Sequence, residues 1–368
     1  MGRFSRTIDP VSLIALLFLC SFGLFVLLTI GQQFFSLQLL FLLAGFSLLF
    51  MFSRIDTAIL WWAAPVAYVV SNILLLLTYV GTNVRGATRW IMLGPIQLQP
   101  SELVKPFLIL SFAYFMTQYS PRSLKHAVMH FFIFLLPFVL VFRQPDLGSS
   151  VVYACFWLSM IIARGLSLRV VLLFFIVAGL LFPVFWNVLA PYQQARIGTF
   201  LDPGLDPTGA GYNALQSTIA VGSGQLFGRG LGMGTQSHLR FLPEYHTDFI
   251  FATMIEELGL LGGFLLFVGY FVLLWQMVSL YLHGSDSVFG YCYTLGIFGM
   301  LLSQIAINTG MNMGIVPITG ITLPFVSYGG SSILSSCMSM GLLWAFRYHE
   351  QVGRRMNKLR YICDIDRS

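Results

Sequence analysis

Runs of mostly apolar residues, each long enough to cross a bilayer at about 20 residues, recur along more than half of this chain. That recurrence restricts the fold before any motif is read, because only helices and closed barrels satisfy every backbone polar group in lipid. The charge count agrees. Only 9% of the 368 residues are charged, 20 Lys and Arg with 14 Asp and Glu, against about 25% in an ordinary soluble domain. No soluble surface can be built from so few. A soluble enzyme, a nucleic-acid binder and a disordered chain are therefore excluded, and the expected fold class is an all-α polytopic membrane protein.

Apolar runs between polar breaks predict about ten transmembrane helices, over 11–31, 35–53, 58–80, 102–118, 128–142, 148–163, 169–190, 247–282, 287–307 and 327–347. The eighth is too long for one straight crossing, so its start is expected at or outside the interface. The chain reads as one integral-membrane domain, 1–368, with a large outer loop at 191–246 between helices seven and eight and a tail at 348–368. The basic start, Met1-Gly2-Arg3-Phe4-Ser5-Arg6, precedes an apolar run from Val11 to Ile30 with no A-x-A site after it, and reads as an uncleaved first span. An even number of spans puts both termini on one side. With that side cytoplasmic, 13 of the 20 Lys and Arg fall in inner segments, and the exceptions are Arg85, Arg89, Lys105, Arg143, Arg196, Arg229 and Arg240. The bias favours both termini inside. Cys20, Cys155, Cys292, Cys337 and Cys363 show no CxxC spacing, which argues against a disulfide framework or a thiolate metal site.

Four polar constellations interrupt this apolar pattern. In the first, Pro243-Glu244-Tyr245-His246-Thr247-Asp248 turns directly into the eighth span. Asp248 is expected in the first turn of that helix, where the helix dipole tolerates a carboxylate, with Glu256 on the same face about 12 Å along. A plain helix cap by Thr247 or Asp248 fits the spacing as well. The second constellation runs from Arg85 and Arg89 to Gln99-Pro100-Ser101-Glu102-Leu103-Val104-Lys105. Ser101 is read there as an N-cap, and Glu102 and Lys105 stand at i,i+3 as a pair. That pair either only orients its helix or marks a functional interior site. The third, Arg143-Gln144-Pro145-Asp146, is a functional turn or one with a local salt bridge. The fourth comprises Asn213–Gly224 and Pro317–Ser332, glycines beside small hydroxyls that allow close approach of a helix or ligand. Ala214–Val221 is expected to be a short helix in or dipping into the membrane. All four map to the outer ends of the spans. No P-loop, HExxH or GxSxG occurs, so no nucleotide cofactor is indicated.

The stretches PEYHTDFIFA…EELG, QPSELVK, RQPDLGSS, NALQSTIAVGSGQ and ITLPFVSYGGSS resemble, in order and from first span to tenth, the motifs of the SEDS family, the RodA/FtsW/SpoVE peptidoglycan polymerases. Val316–Gly320, with Thr319 before the glycine, resembles the RodA branch. The resemblance implies a glycosyltransferase of the bacterial cytoplasmic membrane that polymerises lipid II, an undecaprenyl-pyrophosphoryl disaccharide-pentapeptide, for cell elongation and rod shape. It implies Asp248 as general base on the acceptor 4-hydroxyl. Lys105, Glu102, Arg85, Arg89, Asp146, Arg196, Gln216, Arg240, Glu244 and His246 would then bind substrate, with the cations meeting charge on the leaving pyrophosphate. No metal ligand is assigned, although a divalent cation, Mg or Mn, is compatible with Asp146, Glu102 and Asp248 as hard oxygen donors. Implied partners are a class B penicillin-binding protein and other membrane proteins of the elongation complex, with no nucleic acid. A lipid II flippase is the alternative, and a scaffold for cell-wall enzymes leaves the polar groups without a use.

Overall fold

The computed structural model describes residues 8–80, 89–93, 96–187, 189–282 and 287–365. Every expected apolar run is helical within them. Helices α1 (Pro10–Ile30), α2 (Gln32–Phe52) and α3 (Thr57–Leu77) lead to a short antiparallel hairpin of β1 (Ile91–Leu93) and β2 (Ile96–Leu98), which pairs Ile91 with Leu98. Then follow α4 (Pro100–Leu103), α5 (Lys105–Gln118), α6 (Leu124–Phe142), α7 (Leu147–Ala163) and α8 (Leu168–Trp186). The long loop holds α9 (Pro191–Leu201), α10 (Ala210–Ser223) and α11 (Thr235–His238), before α12 (Ile250–Leu282), α13 (Val288–Asn312) and α14 (Gly330–Ile365). Length and hydropathy alone qualify 6 of these to cross a membrane: α1, α2, α3, α6, α12 and α13. The other expected spans are the interrupted α4–α5, the shorter α7 and α8, and α14, which continues as helix through the tail to Ile365. The chain is a multi-pass membrane protein.

Helix α13 is largely buried, packed between α5 and α7. A side chain at Gly299 would meet Ser159 and Phe156, and one at Gly296 would meet Ile109 and Met160, so close helix approach is why glycine stands there. Asp9 caps α1 and receives Gln276 Nε2 at 3.1 Å and Arg347 at 3.4 Å, tying α1, α12 and α14 together at one end of the bundle. At the other end, Phe34 of α2 stacks on His246 and meets Tyr328. That second end carries the polar motifs. Cys20, Cys155, Cys292 and Cys337 are all free thiols.

The expected long eighth span is broken rather than merely displaced. Gly259 adopts φ 67°, ψ −165° inside α12, a region open essentially to glycine alone. The break divides the run into a short helix after Asp248 and a longer one of membrane-spanning length.

Candidate functional site

The site is assembled from three chain segments that meet over the ends of α7, α12 and α13. The 244–249 turn carries Asp248, which lies just before α12 and not in its first turn as the sequence suggested. Glu256 accordingly does not share a face with it. Its carboxylate is buried and accepts the Gln236 N–H at 3.0 Å and the Thr235 hydroxyl at 3.1 Å.

Main-chain anchors fix Asp248. Asn308 Nδ2 donates to its carbonyl at 3.0 Å and Asn312 Nδ2 at 3.1 Å, while Asn308 Nδ2 also reaches Ile321 O at 2.7 Å. The loop between α13 and α14 closes over the turn: Ser327 Oγ donates to Thr247 O at 2.7 Å and Tyr328 N–H to His246 O at 3.0 Å. Gly320 brings bare backbone to the carboxylate, because a Cβ built there would lie 3.4 Å from Asp248 Oδ2. Glu244 (φ 50°) and Phe325 (φ 65°) hold left-handed backbone in these segments, a conformation that costs about 1–3 kcal/mol for such residues and gathers at functional sites.

The electrostatics follow from burial. Loss of water and the neighbouring Glu244 raise the Asp248 carboxyl from 3.8 to about 6, against the opposing pull of Arg89 and Arg196. Arg196, on α9, feels burial and the like charge of Arg89, which lower its pKa, while Asp146 and Asp248 favour its charged form. Its guanidinium lies 5.9 Å from the centre of the Tyr192 ring and reaches Thr319 O at 3.4 Å. Arg89 packs over Trp90, and its buried Nε–H has no partner among the described residues. Two cations, one of them with an unused donor, therefore face a carboxylate that ionises near neutrality.

Asp146 closes the other side. It caps α7 through Ser149 N–H at 3.1 Å and accepts Gln99 Nε2 at 2.7 Å and the Ser101 hydroxyl at 3.0 Å. The ion pair with Arg143 that the turn suggested does not form, and Arg143 is exposed. Ser101 is not an N-cap either, since Gln99 holds that position and Ser101 spends its hydroxyl on Asp146.

The other expected site residues make contacts of their own. Lys105 is only 1% exposed and gives its ammonium to Glu102, so this pair is buried between α4, α5 and α14. Arg240 is exposed with φ 58°, and the cations acting on Asp248 are Arg89 and Arg196 instead. Gln216 is half-buried on α10, where the next residue, Ser217, makes the buried contact to Asn312 O at 2.9 Å. His246 joins the aromatic group of Phe34, Tyr245 and Tyr328. Arg85 lies outside the described residues. Of the expected oxygen donors, Asp146 accepts three hydrogen bonds and Glu102 is held by Lys105, and among the described residues no group of three His, Cys, Asp or Glu is arranged to hold an ion. Sequence reasoning missed Asn308 and Asn312, although amides at i,i+4 in an apolar helix were there to be read.

Fold and site together define a helical membrane protein with a buried carboxylate beside two cations at one end of the bundle. The chain belongs to the FtsW/RodA/SpoVE family of cell cycle proteins, whose profile matches residues 6–352. It is 39% identical over 293 residues to the peptidoglycan glycosyltransferase MrdB of Escherichia coli K12, covering 78% of this chain and 79% of that protein. It is 39% identical over 274 residues to stage V sporulation protein E of Bacillus subtilis, covering 74% of each. Among solved structures, a chain of a peptidoglycan synthase complex that coordinates polymerization and crosslinking superposes with TM-score 0.79 at 28% identity, covering 92% of this chain and 97% of that one. The Thermus thermophilus rod shape determining protein RodA superposes at 0.69 with 26% identity, covering 92% and 96%.

Proposed function

We propose that this protein is a peptidoglycan glycosyltransferase that polymerises lipid II into glycan strands for cell elongation, at the outer face of the bacterial cytoplasmic membrane and with both termini inside. The observation that carries the reading is the Asp248 carboxyl, raised to about 6 beside Arg89 and Arg196. A general base works best when its pKa lies near the working pH. Asp248 takes the proton from the acceptor 4-hydroxyl as that oxygen bonds to the donor's anomeric carbon. The anomeric C–O bond to pyrophosphate breaks, and undecaprenyl pyrophosphate leaves with the electron pair. Arg196 and the free Nε–H of Arg89 meet the charge that develops on it, a stabilisation worth orders of magnitude in rate. Burial, helped by the charge of Glu244, keeps the base's pKa high. Asp146, Gln99 and Ser101 form the facing wall. No step is routed through a metal ion.

The family relationship and the synthase-complex neighbour support a transpeptidase of the class B penicillin-binding type as partner. Labelled lipid II, incubated with the purified protein and that partner without nucleotide, tests the reaction. Strands on a gel that vanish with Asp248→Asn are the expected result, and their absence from the wild-type reaction would refute it. A lipid II flippase would give no strands with either protein.

A further inference from the structure

We infer that residues 224–233 form an interfacial loop whose apolar side chains enter the acyl region of the leaflet on the site's side, anchoring the long loop to lipid. The first observation is backbone pairing. The break at Gly259 deprives α12 of two helical rungs, those from Leu260 N–H to Glu256 O and from Leu261 N–H to Glu257 O. The loop supplies partners for all four groups. Leu260 N–H donates to Gln225 O at 2.8 Å and Leu261 N–H to Leu226 O at 3.1 Å, while Arg229 N–H donates to Glu256 O at 2.8 Å and Gly230 N–H to Glu257 O at 3.1 Å. Gly228 N–H closes on Gly224 O at 2.7 Å. Irregular backbone at membrane depth requires this kind of satisfaction.

The second observation is depth. Thr29, in the last turn of the 21-residue α1, donates to Glu257 at 2.8 Å, and Asp9 at the start of α1 meets Gln276. Helix α1 is about as long as the hydrocarbon core is thick, so the core boundary on this side falls near Glu257–Gly259, level with the loop. The third is side-chain chemistry. Leu226, Phe227 and Met233 are 61%, 78% and 69% exposed. They continue the exposed apolar surface of Leu260, Leu261 and Phe264 on α12, which faces lipid in a multi-pass protein. No charged residue occurs from Ala210 to Gly228, and Arg229 turns to the Thr235 hydroxyl at 3.0 Å.

Nitroxide labels test this in the full chain, with single cysteines at Phe227 and Met233 and the native cysteines replaced. In phosphatidylethanolamine–phosphatidylglycerol nanodiscs, collision rates with oxygen and with a soluble nickel chelate are compared with labels at Phe264 in lipid and Thr208 on the polar part of the loop. The expected result is oxygen preference at both positions matching Phe264. Nickel preference at either position would overturn the inference. So would exclusion of both reagents, the signature of a protein-covered surface such as a partner or second copy. Both residues are exposed, so the labels do not disturb the core, and thermal unfolding of each labelled protein checks that.

Discussion

At the scale of single residues, Asp248 makes opposite demands on activity and stability. Its carboxyl is raised from 3.8 to about 6, so the ionised form that the proposed reaction needs is the form the fold disfavours. Turnover with lipid II should therefore rise through about pH 6 and level above it, and a profile flat from pH 5 to 8 would remove the general-base role. The stability sign is the reverse. Protonated Asp248 costs the fold little, and the penalty builds as pH rises from about 4 through 6, reaching on the order of 3 kcal/mol. Asp248→Asn should abolish strand synthesis while melting at or above the wild-type temperature at pH 7, with the difference gone near pH 4. A mere cap would tolerate Asn without loss. Lys105 presents a different case, because its partner Glu102 is buried with it. Removing one member of a buried pair costs about 3–5 kcal/mol, so Lys105→Ala should fail to accumulate. The double change Lys105→Met with Glu102→Gln leaves no buried charge and should restore folding. Wild-type turnover in that double variant would assign the pair to structure, and loss of turnover in a stably folded one would return Lys105 to the substrate.

At the scale of elements, the helix break is the most specific structural commitment, and it is glycine-dependent in two places. Gly259 needs φ 67°, and a Cβ on it would collide with Gly228 N and Leu226 O. A Cβ on Gly228 would collide with the Glu257 carbonyl. Gly259→Ala should therefore lower the melting temperature steeply in detergent, by more than the 1–3 kcal/mol of backbone strain alone. Gly222 on α10 is the control: a side chain there meets nothing within 4 Å, and Ala should be neutral or stabilising by up to about 1 kcal/mol. Equal melting of both variants would disprove the interlock. The contrast also shows where sequence reading stops. Hydropathy located the long helices because lipid demands continuous apolar runs, and it marked α12 as too long. It could not find the break, since the pairing of 225–230 with 256–261 is a tertiary match between segments that are each locally unremarkable. Charge at span ends pointed to Asp248, Asp146, Arg89 and Arg196. It also pointed to Arg240 and Lys105, because one-dimensional position cannot say which way a side chain turns. The Asn308 and Asn312 amides carry no charge, so a search for ionisable groups passed over them.

At the scale of the whole molecule, the two ends of the bundle differ in kind, and the difference fixes a testable orientation. One end joins Asp9, Gln276 and Arg347 and lies beside the basic sequence that follows Arg347, with Arg354, Arg355, Lys358 and Arg360. The other brings Asp248, Asp146, Glu244, Arg89 and Arg196 within electrostatic reach of one another. Positive residues outside spans are retained on the cytoplasmic side, which predicts the Arg347 end inside and the Asp248 end outside. In the proposed reaction a substrate carried on a polyprenyl pyrophosphate would then present its sugars where a wall is built, and the cations beside Asp248 would be outward exceptions because they serve that substrate. Single cysteines at Gly204, on the exposed loop, and at Lys358 should react from opposite sides of intact cells with a membrane-impermeant maleimide. Gly204 should label without permeabilisation, and Lys358 only after it. Labelling of both from one side would break the even-span topology, and the reversed pattern would turn the Asp248 end to the cytoplasm. In that event Asp248 could still be an essential base, but glycan strands could not be made outside, and the outward polymerase reading would fall while the fold stood.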